Sequence, residues 1–238
     1  MIEIEELTVH FGGVVPLDAM SLTFESGTCG LIGPNGAGKT TFFNVLSGFV
    51  KPFRGSVRAF GEDLLAMPHY RRARWGLRRT FQTEQAIEEL SIYENVAMVH
   101  EHSRWGRASR RAEVLAAIEF VGLEGDPLTQ VGTLGARDRR LVEVARAVVG
   151  QPRLVLLDEP AAGLPDEETE HLSNVIRAIP GHTGALVILV DHDMSLVSAC
   201  CGETAVLDFG IVIASGPTAE VLRDDRVMRA YLGTEELV

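Results

Sequence analysis

Hydrophobic and polar residues alternate along the first part of the chain, between Ile2 and Phe24. Leu7, Val9 and Phe11 are apolar at every second position, and the same alternation returns after a glycine pair. A period of two is typical of strands that bury one face. The sequence therefore predicts a pair of antiparallel strands in this region.

Residues 28–32 form a short, largely apolar run of strand type. Two later segments, residues 154–157 and 185–190, are continuously apolar rather than alternating. Such runs are typical of strands buried on both faces of a parallel sheet. A helix predicted to begin near Asp166 separates the last two runs, which implies parallel strands joined by a right-handed crossover. Two short strands that turn at Gly210 are predicted near the end of the chain.

Between these runs, apolar residues recur at spacings of three and four, which is typical of helices packed on one face. They are Ile92, Val96, Val99, Val114, Leu115, Ile118, Val121, Leu141, Val144, Ala145 and Val148. The pattern predicts an α-helical subdomain at 84–147, inserted into a core formed by 1–83 and 148–238. With no internal repeat or low-complexity linker, 1–238 is expected to be a single domain.

The clearest chemistry lies in Gly33-Pro34-Asn35-Gly36-Ala37-Gly38-Lys39-Thr40-Thr41, which fills every fixed position of the phosphate-loop pattern G-x-x-x-x-G-K-[ST]. The glycines allow backbone N–H groups to surround phosphate oxygens. Lys39 is expected to reach the β and γ phosphates, Thr40 to ligate Mg2+, and Thr41 to contact a phosphate nearer the ribose. An apolar strand precedes the loop and a predicted helix follows it, as this motif requires, which favours a nucleotide site over a plain glycine-rich turn.

Acidic and amide side chains follow the buried runs. Asp158 and Glu159 end the run at 154–157, where parallel sheets carry nucleotide chemistry. Asp158 is predicted to hold Mg2+ through water and Glu159 to act as the general base; the alternative is a strand end capped by acids. Gln82 is predicted to bridge metal, water and γ-phosphate, and His192 to donate to the γ-phosphate.

Composition restricts the partners. The formal net charge of −11 argues against wrapping nucleic acid or lying on an anionic bilayer. The one dense basic run, residues 71–79, fits either nucleic-acid contact or a solvated helix face, and its acidic surroundings favour the helix. The longest aliphatic run, 185–190, is too short to span a bilayer, so any membrane role is expected to come through a partner.

Five motifs follow one another along the chain: residues 33–41, Gln82, residues 134–138, residues 154–159 and His192. With these motifs in this order, the chain resembles the ATP-binding subunits of ABC transporters over essentially its whole length. The resemblance implies an α/β fold: a P-loop NTPase (RecA-like) core with a mainly parallel sheet, an N-terminal antiparallel β subdomain and an inserted α-helical subdomain. It also implies that the cofactors are ATP and Mg2+, and that the chain is an ATPase coupled to transmembrane transport.

Finer details look like the branched-chain amino acid transporter subfamily, which includes urea and amide importers. These details are Phe11-Gly12-Gly13, Arg79-Thr80-Phe81-Gln82, Pro160-Ala161-Ala162-Gly163-Leu164, His192-Asp193-Met194 and Ala230-Tyr231-Leu232-Gly233. The alternatives are an ATPase of a lipid or lipopolysaccharide exporter, and a regulatory subunit that hydrolyses ATP weakly. A soluble ABC ATPase acting on DNA or ribosomes is disfavoured because the chain has no long coiled-coil insertion or second cassette.

The resemblance implies a head-to-tail dimer in which each ATP lies between one subunit's phosphate loop and the other's signature motif. Phe11 would stack on adenine, and Gln82 would sense the transmembrane partner. The implied partners are a second ATP-binding subunit, permease subunits and a separate substrate-binding protein, with no nucleic acid. The implied location is the cytoplasmic face of the membrane, held there through the permeases.

Two segments depart from the family pattern. The signature Leu-Ser-Gly-Gly-Gln stands here as Leu134-Gly135-Ala136-Arg137-Asp138, which lacks the serine hydroxyl and places Arg137 where glycine permits close approach. After Glu159, the usual Gly-Leu-Asp-Pro is replaced by Gly163-Leu164-Pro165-Asp166. We expect an asymmetric heterodimer in which the site completed by this signature is weakened; alternatively, Arg137 supplies a compensating positive charge.

Overall fold

A computed structural model describes residues 1–100 and 110–232. Two parts of the chain lie outside this description. They are residues 101–109, inside the predicted helical subdomain, and residues 233–238, which include Gly233, the last residue of the C-terminal motif of the resemblance. The strands are β1 (Ile2–Phe11), β2 (Val14–Phe24), β3 (Thr28–Ile32), β4 (Arg54–Ala59), β5 (Glu62–Asp63), β6 (Leu77–Arg79), β7 (Leu154–Asp158), β8 (Leu186–Val190), β9 (Glu203–Asp208) and β10 (Ile211–Pro217). The helices are α1 (Lys39–Ser47), α2 (His69–Trp75), α3 (Ile92–His100), α4 (Arg110–Phe120), α5 (Ala136–Val148), α6 (Asp166–Thr183), α7 (Met194–Cys200), α8 (Thr218–Val221) and α9 (Asp225–Leu232).

The chain forms two compact units. The first contains Met1–Arg72 and Ile188–Val238, and the second contains Ala73–Val187. The chain passes from one unit to the other within α2 and again within β8. The second unit thus includes β6, β7 and α6 besides the described part of the segment predicted to be helical.

In the first unit, β1 lies between β2 and β4 in an antiparallel sheet, with Ile2 opposite both Phe24 and Ala59. The predicted antiparallel pair is therefore confirmed. Its alternation is interrupted after Ile4, where the register shifts and Glu6 adopts a left-handed backbone (φ 47°). Such a bulge changes which side chains face the core, and it explains why Thr8 is buried beside the apolar positions.

The first unit also contains the strand that leads into the phosphate loop. β3 is buried along its whole length and pairs in parallel with β9, with Cys29 opposite Glu203 and Ile32 opposite Val206. β9 continues into antiparallel β10 through a turn at Gly210, as predicted from the sequence. Because β3 is apolar on both faces, its carboxyl end is fixed by the core of this unit.

In the second unit, β6 and β7 are parallel, with Leu77 opposite Leu154 and Arg79 opposite Leu156. The Thr80 N–H donates to the Leu156 carbonyl at 2.9 Å, which continues the ladder one residue beyond β6. Helices α3, α4 and α5 pack on one another. Most of the apolar residues whose spacing predicted these helices are buried, including Ile92, Val96, Val114, Ile118, Leu141, Val144 and Val148.

The prediction that residues 71–79 form a solvated helix face is wrong for several of their arginines. The helix is short, and Arg72 is only 4% exposed. Its guanidinium donates to the carbonyls of Val45 and Leu46 near the end of α1, where a cation complements the helix dipole. Arg78 is also buried and donates to the Ala73 carbonyl at 2.6 Å. Charge alone did not reveal these backbone partners.

The longest apolar runs form core strands. Every residue of β7 and β8 is buried, as expected for strands covered on both faces. Within residues 1–100 and 110–232, no helix combines the length and apolar character that crossing a bilayer demands.

Burial predicts that the cysteines react slowly in the folded protein. Cys29, Cys200 and Cys201 are buried and form no disulfide. Desolvation, with a smaller effect from Glu203, raises the pKa of Cys29 to about 12. Desolvation and neighbouring groups, Cys200 first, raise the pKa of Cys201 as well. Because the thiolate is the nucleophile, alkylation by iodoacetamide at mildly alkaline pH should be at least about a hundredfold slower than in denaturant.

Mass spectrometry of tryptic peptides after timed alkylation measures each cysteine separately. All three cysteines should label readily in guanidinium chloride, which serves as the control. Fast labelling of Cys29 without denaturant would contradict the burial described here.

Candidate active site

The phosphate loop lies in the first unit, between β3 and α1. Helix α1 begins at Lys39, directly after Gly38, which caps it in a left-handed conformation (φ 110°). The first turn of α1 contains no acidic residue. Its N–H groups and the positive end of the helix dipole are therefore not offset by a carboxylate of that turn, which suits the binding of a phosphate.

Two glycines of the loop are required by close backbone contacts. A Cβ atom on Gly33 would lie 2.0 Å from the carbonyl oxygen of Leu207, and one on Gly38 would lie 2.2 Å from that of Pro16. Both glycines also have positive φ angles, which other residues rarely adopt. Any side chain at either position would force the loop away from the strands that support it.

The turn between β9 and β10 fixes the middle of the loop. The Gly210 N–H donates to the Ala37 carbonyl at 2.9 Å, and the Gly210 carbonyl accepts the Asp18 N–H at 3.1 Å. The loop is thus tied through Gly210 to β2 of the antiparallel sheet. The sequence pattern predicts the turn at Gly210 but gives no sign of this supporting contact.

Lys39 folds back over the loop. Its side chain is largely buried, and Nζ donates to the carbonyl oxygens of Gly33 at 2.5 Å and Pro34 at 3.0 Å. The ammonium group is therefore held inside the curve of the loop, where a phosphate chain would pass. Thr40 and Thr41 stand in the first turn of α1, Thr40 exposed and Thr41 half-buried.

The carboxyl end of β7, in the second unit, carries Asp158. Its carboxylate accepts a hydrogen bond from Arg79 at 3.0 Å, and the two side chains are 7% and 6% exposed. Burial lowers the pKa of the Arg79 guanidinium, and its hydrogen bond and ion pair with Asp158 oppose that effect. The Asp158 N–H donates to the Thr80 hydroxyl at 3.1 Å. The sequence pattern does not indicate this pairing of Arg79 with Asp158, because the two residues are far apart in the chain.

Glu159 follows in a strained left-handed conformation, with φ 46°. For a residue with a Cβ atom this conformation costs energy, and it is found disproportionately at functional sites. The Gln82 amide Nε2 donates to Glu159 Oε2 at 2.9 Å. The structure therefore brings together Gln82 and Glu159, which the sequence placed in one catalytic group, beside the strand end that carries Asp158.

His192 lies in the first unit, between β8 and α7. Its side chain is 68% exposed, and Nδ1 lies 3.7 Å from the buried Asp191 carboxylate. Asp193 fixes the loop by accepting the N–H groups of Ser195 and Leu196 at the start of α7. The backbone of the loop is thus ordered while the His192 imidazole faces solvent. Its predicted hydrogen bond to the γ-phosphate stays a prediction.

Two predicted contact segments are exposed. Phe11 ends β1 and is 52% exposed, so its ring is accessible; stacking on adenine stays a prediction. The segment Leu134–Asp138 leads into α5, whose cap, Gly135, offers no side-chain hydrogen bond. Arg137 lies 3.6 Å from Asp138 in a half-exposed ion pair.

The oxygen donors expected to hold Mg2+ occur in both units: the Thr40 hydroxyl in the first, and Asp158 with the Gln82 amide in the second. In the described ranges, no group of three or more histidine, cysteine and acidic side chains forms a metal cage. Mg2+ prefers oxygen ligands and is commonly held by one or two carboxylates together with substrate phosphates. Each unit by itself therefore carries oxygen donors of the type that Mg2+ uses when it arrives with a nucleotide.

Comparison with known sequences identifies the family. The ABC transporter family model matches residues 17–162. A second model, of the branched-chain amino acid ATP-binding cassette transporter, matches residues 212–236. The first match covers the phosphate loop and the strand that ends in Asp158, and the second covers the C-terminal segment.

Curated relatives align along nearly the whole chain. The branched-chain amino acid transport ATP-binding proteins BraF of Pseudomonas aeruginosa and LivG of Escherichia coli are each 34% identical, with 98% of both chains covered. The lipopolysaccharide export ATP-binding protein LptB of Escherichia coli is 33% identical, over 97% of this chain and 96% of LptB.

Solved structures agree. The ADP conformation of MJ1267, an ATP-binding cassette of an ABC transporter, matches with a TM-score of 0.87 and 25% identity over 98% of each chain.

The predicted fold class, an α/β P-loop ATPase with parallel and antiparallel sheets, is confirmed, and so is the prediction of an ATP hydrolase coupled to transport. The chain belongs to the ABC transporter family, as one of its ATP-binding subunits.

Proposed function

We propose that this chain hydrolyses ATP to power the import of branched-chain amino acids or related small amides. The observation that carries the proposal is the match of residues 212–236 to the branched-chain model, together with full-length similarity to BraF and LivG. An exporter ATPase is the second candidate, supported by the similarity to LptB. The C-terminal match favours the importer.

In this proposal the phosphate loop binds ATP through its backbone N–H groups and Lys39, with Thr41 on a phosphate nearer the ribose and Phe11 against adenine. Thr40, Asp158 and Gln82 are the residues that would hold Mg2+. The metal ion supplies positive charge that offsets charge developing on the phosphates. His192 donates a hydrogen bond to the γ-phosphate.

Glu159 acts as the general base and accepts a proton from the attacking water. The Gln82 amide, which donates to Glu159 Oε2 at 2.9 Å, orients the carboxylate and occupies one of its oxygens. The left-handed backbone of Glu159 further restricts where its side chain can point. Both features favour a carboxylate held in one direction, as general-base catalysis requires.

The proposed partners are a second ATP-binding subunit, permease subunits and a separate substrate-binding protein. The subunit would work at the cytoplasmic face of the membrane, held there by the permeases. We propose no nucleic-acid partner, since the net charge of −11 disfavours one. In addition, Arg72 and Arg78 of the basic run at 71–79 donate hydrogen bonds to backbone carbonyls of the chain itself.

We further propose that the dimer is asymmetric. Gly135 lacks the serine hydroxyl of the family signature, and Asp138 offsets part of the charge of Arg137. The site completed by this segment in a partner would therefore be the weaker one. In the extreme case of this asymmetry, the chain is a regulatory subunit that hydrolyses ATP weakly. Full activity at both sites would instead mean that the positive charge of Arg137 compensates for the missing serine hydroxyl.

The general-base assignment predicts the effect of Glu159→Gln. In the complex assembled with its permeases and second ATPase, hydrolysis at the site of Glu159 should fall at least about a hundredfold, because general-base catalysis contributes that much or more. ATP binding should persist. Phosphate release and labelled-nucleotide binding measure the two quantities, and Glu170→Gln, on the exposed side of α6, is the matched control. Loss of binding together with turnover would argue against the assigned role.

Transport gives a direct test of the substrate class. Vesicles that contain the complex should accumulate labelled leucine in an ATP-dependent manner, and Lys39→Ala should abolish this uptake, because it removes the cation of the phosphate loop. Leucine uptake that does not depend on ATP, or ATPase activity that responds to lipid rather than to leucine and its binding protein, would refute the importer assignment.

The asymmetry is tested by placing the Glu159→Gln change in this subunit and the matching change in its partner, one at a time. The change here should cause the larger loss of hydrolysis, because this subunit's base serves the site that the partner's signature completes. Steady-state ATPase rates of the two complexes provide the comparison. Equal losses would rule out the asymmetric arrangement.

The Asp158 carboxylate must be charged to hold Mg2+, and Arg79 balances that charge inside the protein. Arg79→Met should therefore destabilise the folded chain by about 3–5 kcal/mol, since it leaves a buried carboxylate without its cation. Asp158→Asn in the Arg79→Met background should recover part of the loss. Urea unfolding followed by circular dichroism measures the single variants Arg79→Met and Asp158→Asn and the double variant. If the double variant loses as much unfolding free energy as the two single variants together, Arg79 and Asp158 do not stabilise each other.

A further inference from the structure

Side chains of α5 bind the segment that follows Gln82. We call residues 82–85 the glutamine segment and the four side chains that bind it the α5 clamp: Arg139, Arg140, Glu143 and Arg146. The Arg140 guanidinium donates to the Gln82 carbonyl at 3.3 Å, and Arg146 donates to the Gln85 carbonyl at 2.6 Å. The clamp thus holds main-chain atoms at both ends of the segment.

Two further contacts complete the set. The Glu143 carboxylate accepts the Gln85 N–H at 2.6 Å, and Arg139 lies 3.0 Å from the Glu84 carboxylate. The Gln82 and Gln85 residues are themselves exposed. An exposed irregular segment has few apolar contacts of its own, so these polar contacts determine its position.

Arg140 and Glu143 form a buried ion pair at the centre of the clamp. Their side chains are 8% and 5% exposed, with Nη1 and Oε2 3.1 Å apart. Desolvation raises the pKa of Glu143, while the Gln85 N–H, Arg140 and Arg146 oppose the shift. Buried charges are costly unless every partner is in place, so the pair favours one arrangement of the segment over alternatives.

The clamp reaches the catalytic group through one residue. Arg140 holds the backbone carbonyl of Gln82, and the Gln82 side chain holds Glu159 Oε2 at 2.9 Å. A small displacement of the Gln82 backbone would therefore move the amide off the carboxylate. Misplacement of a catalytic group by about an ångström is enough to cost a large factor in rate.

We propose that Arg140 is a positioning residue for ATP hydrolysis, which together with Glu143 fixes the Gln82 backbone so that the Gln82 amide stays on Glu159. The inference rests on the proposed roles of Gln82 and Glu159. Arg140 lies one turn beyond Ala136, where α5 begins, so the same helix carries both the signature segment and the clamp. A shift of α5 is thereby passed to Gln82.

Hydrogen–deuterium exchange on the full chain without nucleotide tests the clamp itself. Arg140→Met should speed exchange of the Gln85 amide and its neighbours about tenfold, because the segment loses one charged hydrogen bond and Glu143 loses its ion pair with Arg140. Peptides from α6 should be unchanged. Arg177→Met, an exposed arginine on α6 that donates only to Asn174 among the contacts described, is the matched control. Unchanged exchange at Gln85 would overturn the proposal.

Kinetics of the assembled complex test the link to catalysis. Arg140→Met should lower kcat about tenfold and change the KM for ATP by less than about twofold, since a positioning hydrogen bond acts on the chemical step. In a Gln82→Ala background the same change should cause no further loss, because Arg140 acts through Gln82. If Arg140 had a purely structural role, the losses of kcat caused by Arg140→Met and Gln82→Ala would multiply in the double variant. That result would overturn the proposal.

One additional variant keeps the test decisive. If Arg140→Met lowers the urea midpoint so far that folding is impaired, Arg140→Lys replaces it. A lysine retains the charge but lacks the planar guanidinium, whose Nη1 and Nη2 reach Glu143 and Gln82 separately, so an intermediate kcat is expected. Wild-type activity in Arg140→Lys would contradict the proposal. Should the wild-type complex hydrolyse no ATP, the proposed function fails, whereas the exchange experiment still decides on the clamp.

Discussion

Backbone packing against Gly33 and Gly38 is the constraint on which the phosphate loop depends. Carbonyl oxygens of Leu207 and Pro16 occupy the space that side chains would need, so the loop is shaped from outside by strands of its own unit. Within this loop, Lys39 Nζ donates to the carbonyl oxygens of Gly33 and Pro34. The shape of the predicted phosphate site is thus a consequence of how closely main chains approach here.

This part of the site was predictable because its causes are local. A strand, a glycine pattern and a helix start are consecutive in the chain, and each is fixed by residue type. The pairing of Arg79 with Asp158 was not predictable in this way, since nothing near either residue names its partner. The same reason explains the error at residues 71–79: a dense run of arginines indicates charge, but not whether water or a backbone carbonyl receives the hydrogen bonds.

Helix α5 shows the limit of periodicity as a signal. Its apolar residues at spacings of three and four predict one buried face correctly, yet Arg140 and Glu143 on the rest of its surface are buried too. Sequence pattern assigns such residues to solvent, because burial of a charge depends on partners that come from elsewhere in the chain. Here the partners are main-chain atoms of the glutamine segment, which lies far from α5 in sequence and has no periodicity of its own.

The same helix explains how the departure from the family signature is compatible with the fold. Gly135 and Ala136 are exposed, and Gly135 costs only a few tenths of a kcal/mol as a helix cap relative to serine. The packing of α5 begins at Arg140, one turn later, and does not involve the altered residues. Substitutions in the first turn therefore change what the segment can offer to a nucleotide without disturbing the helix that carries it. The stability of the fold and the chemistry of the signature are separable in this chain, and the clamp on Gln82 belongs to the part that the substitutions leave intact.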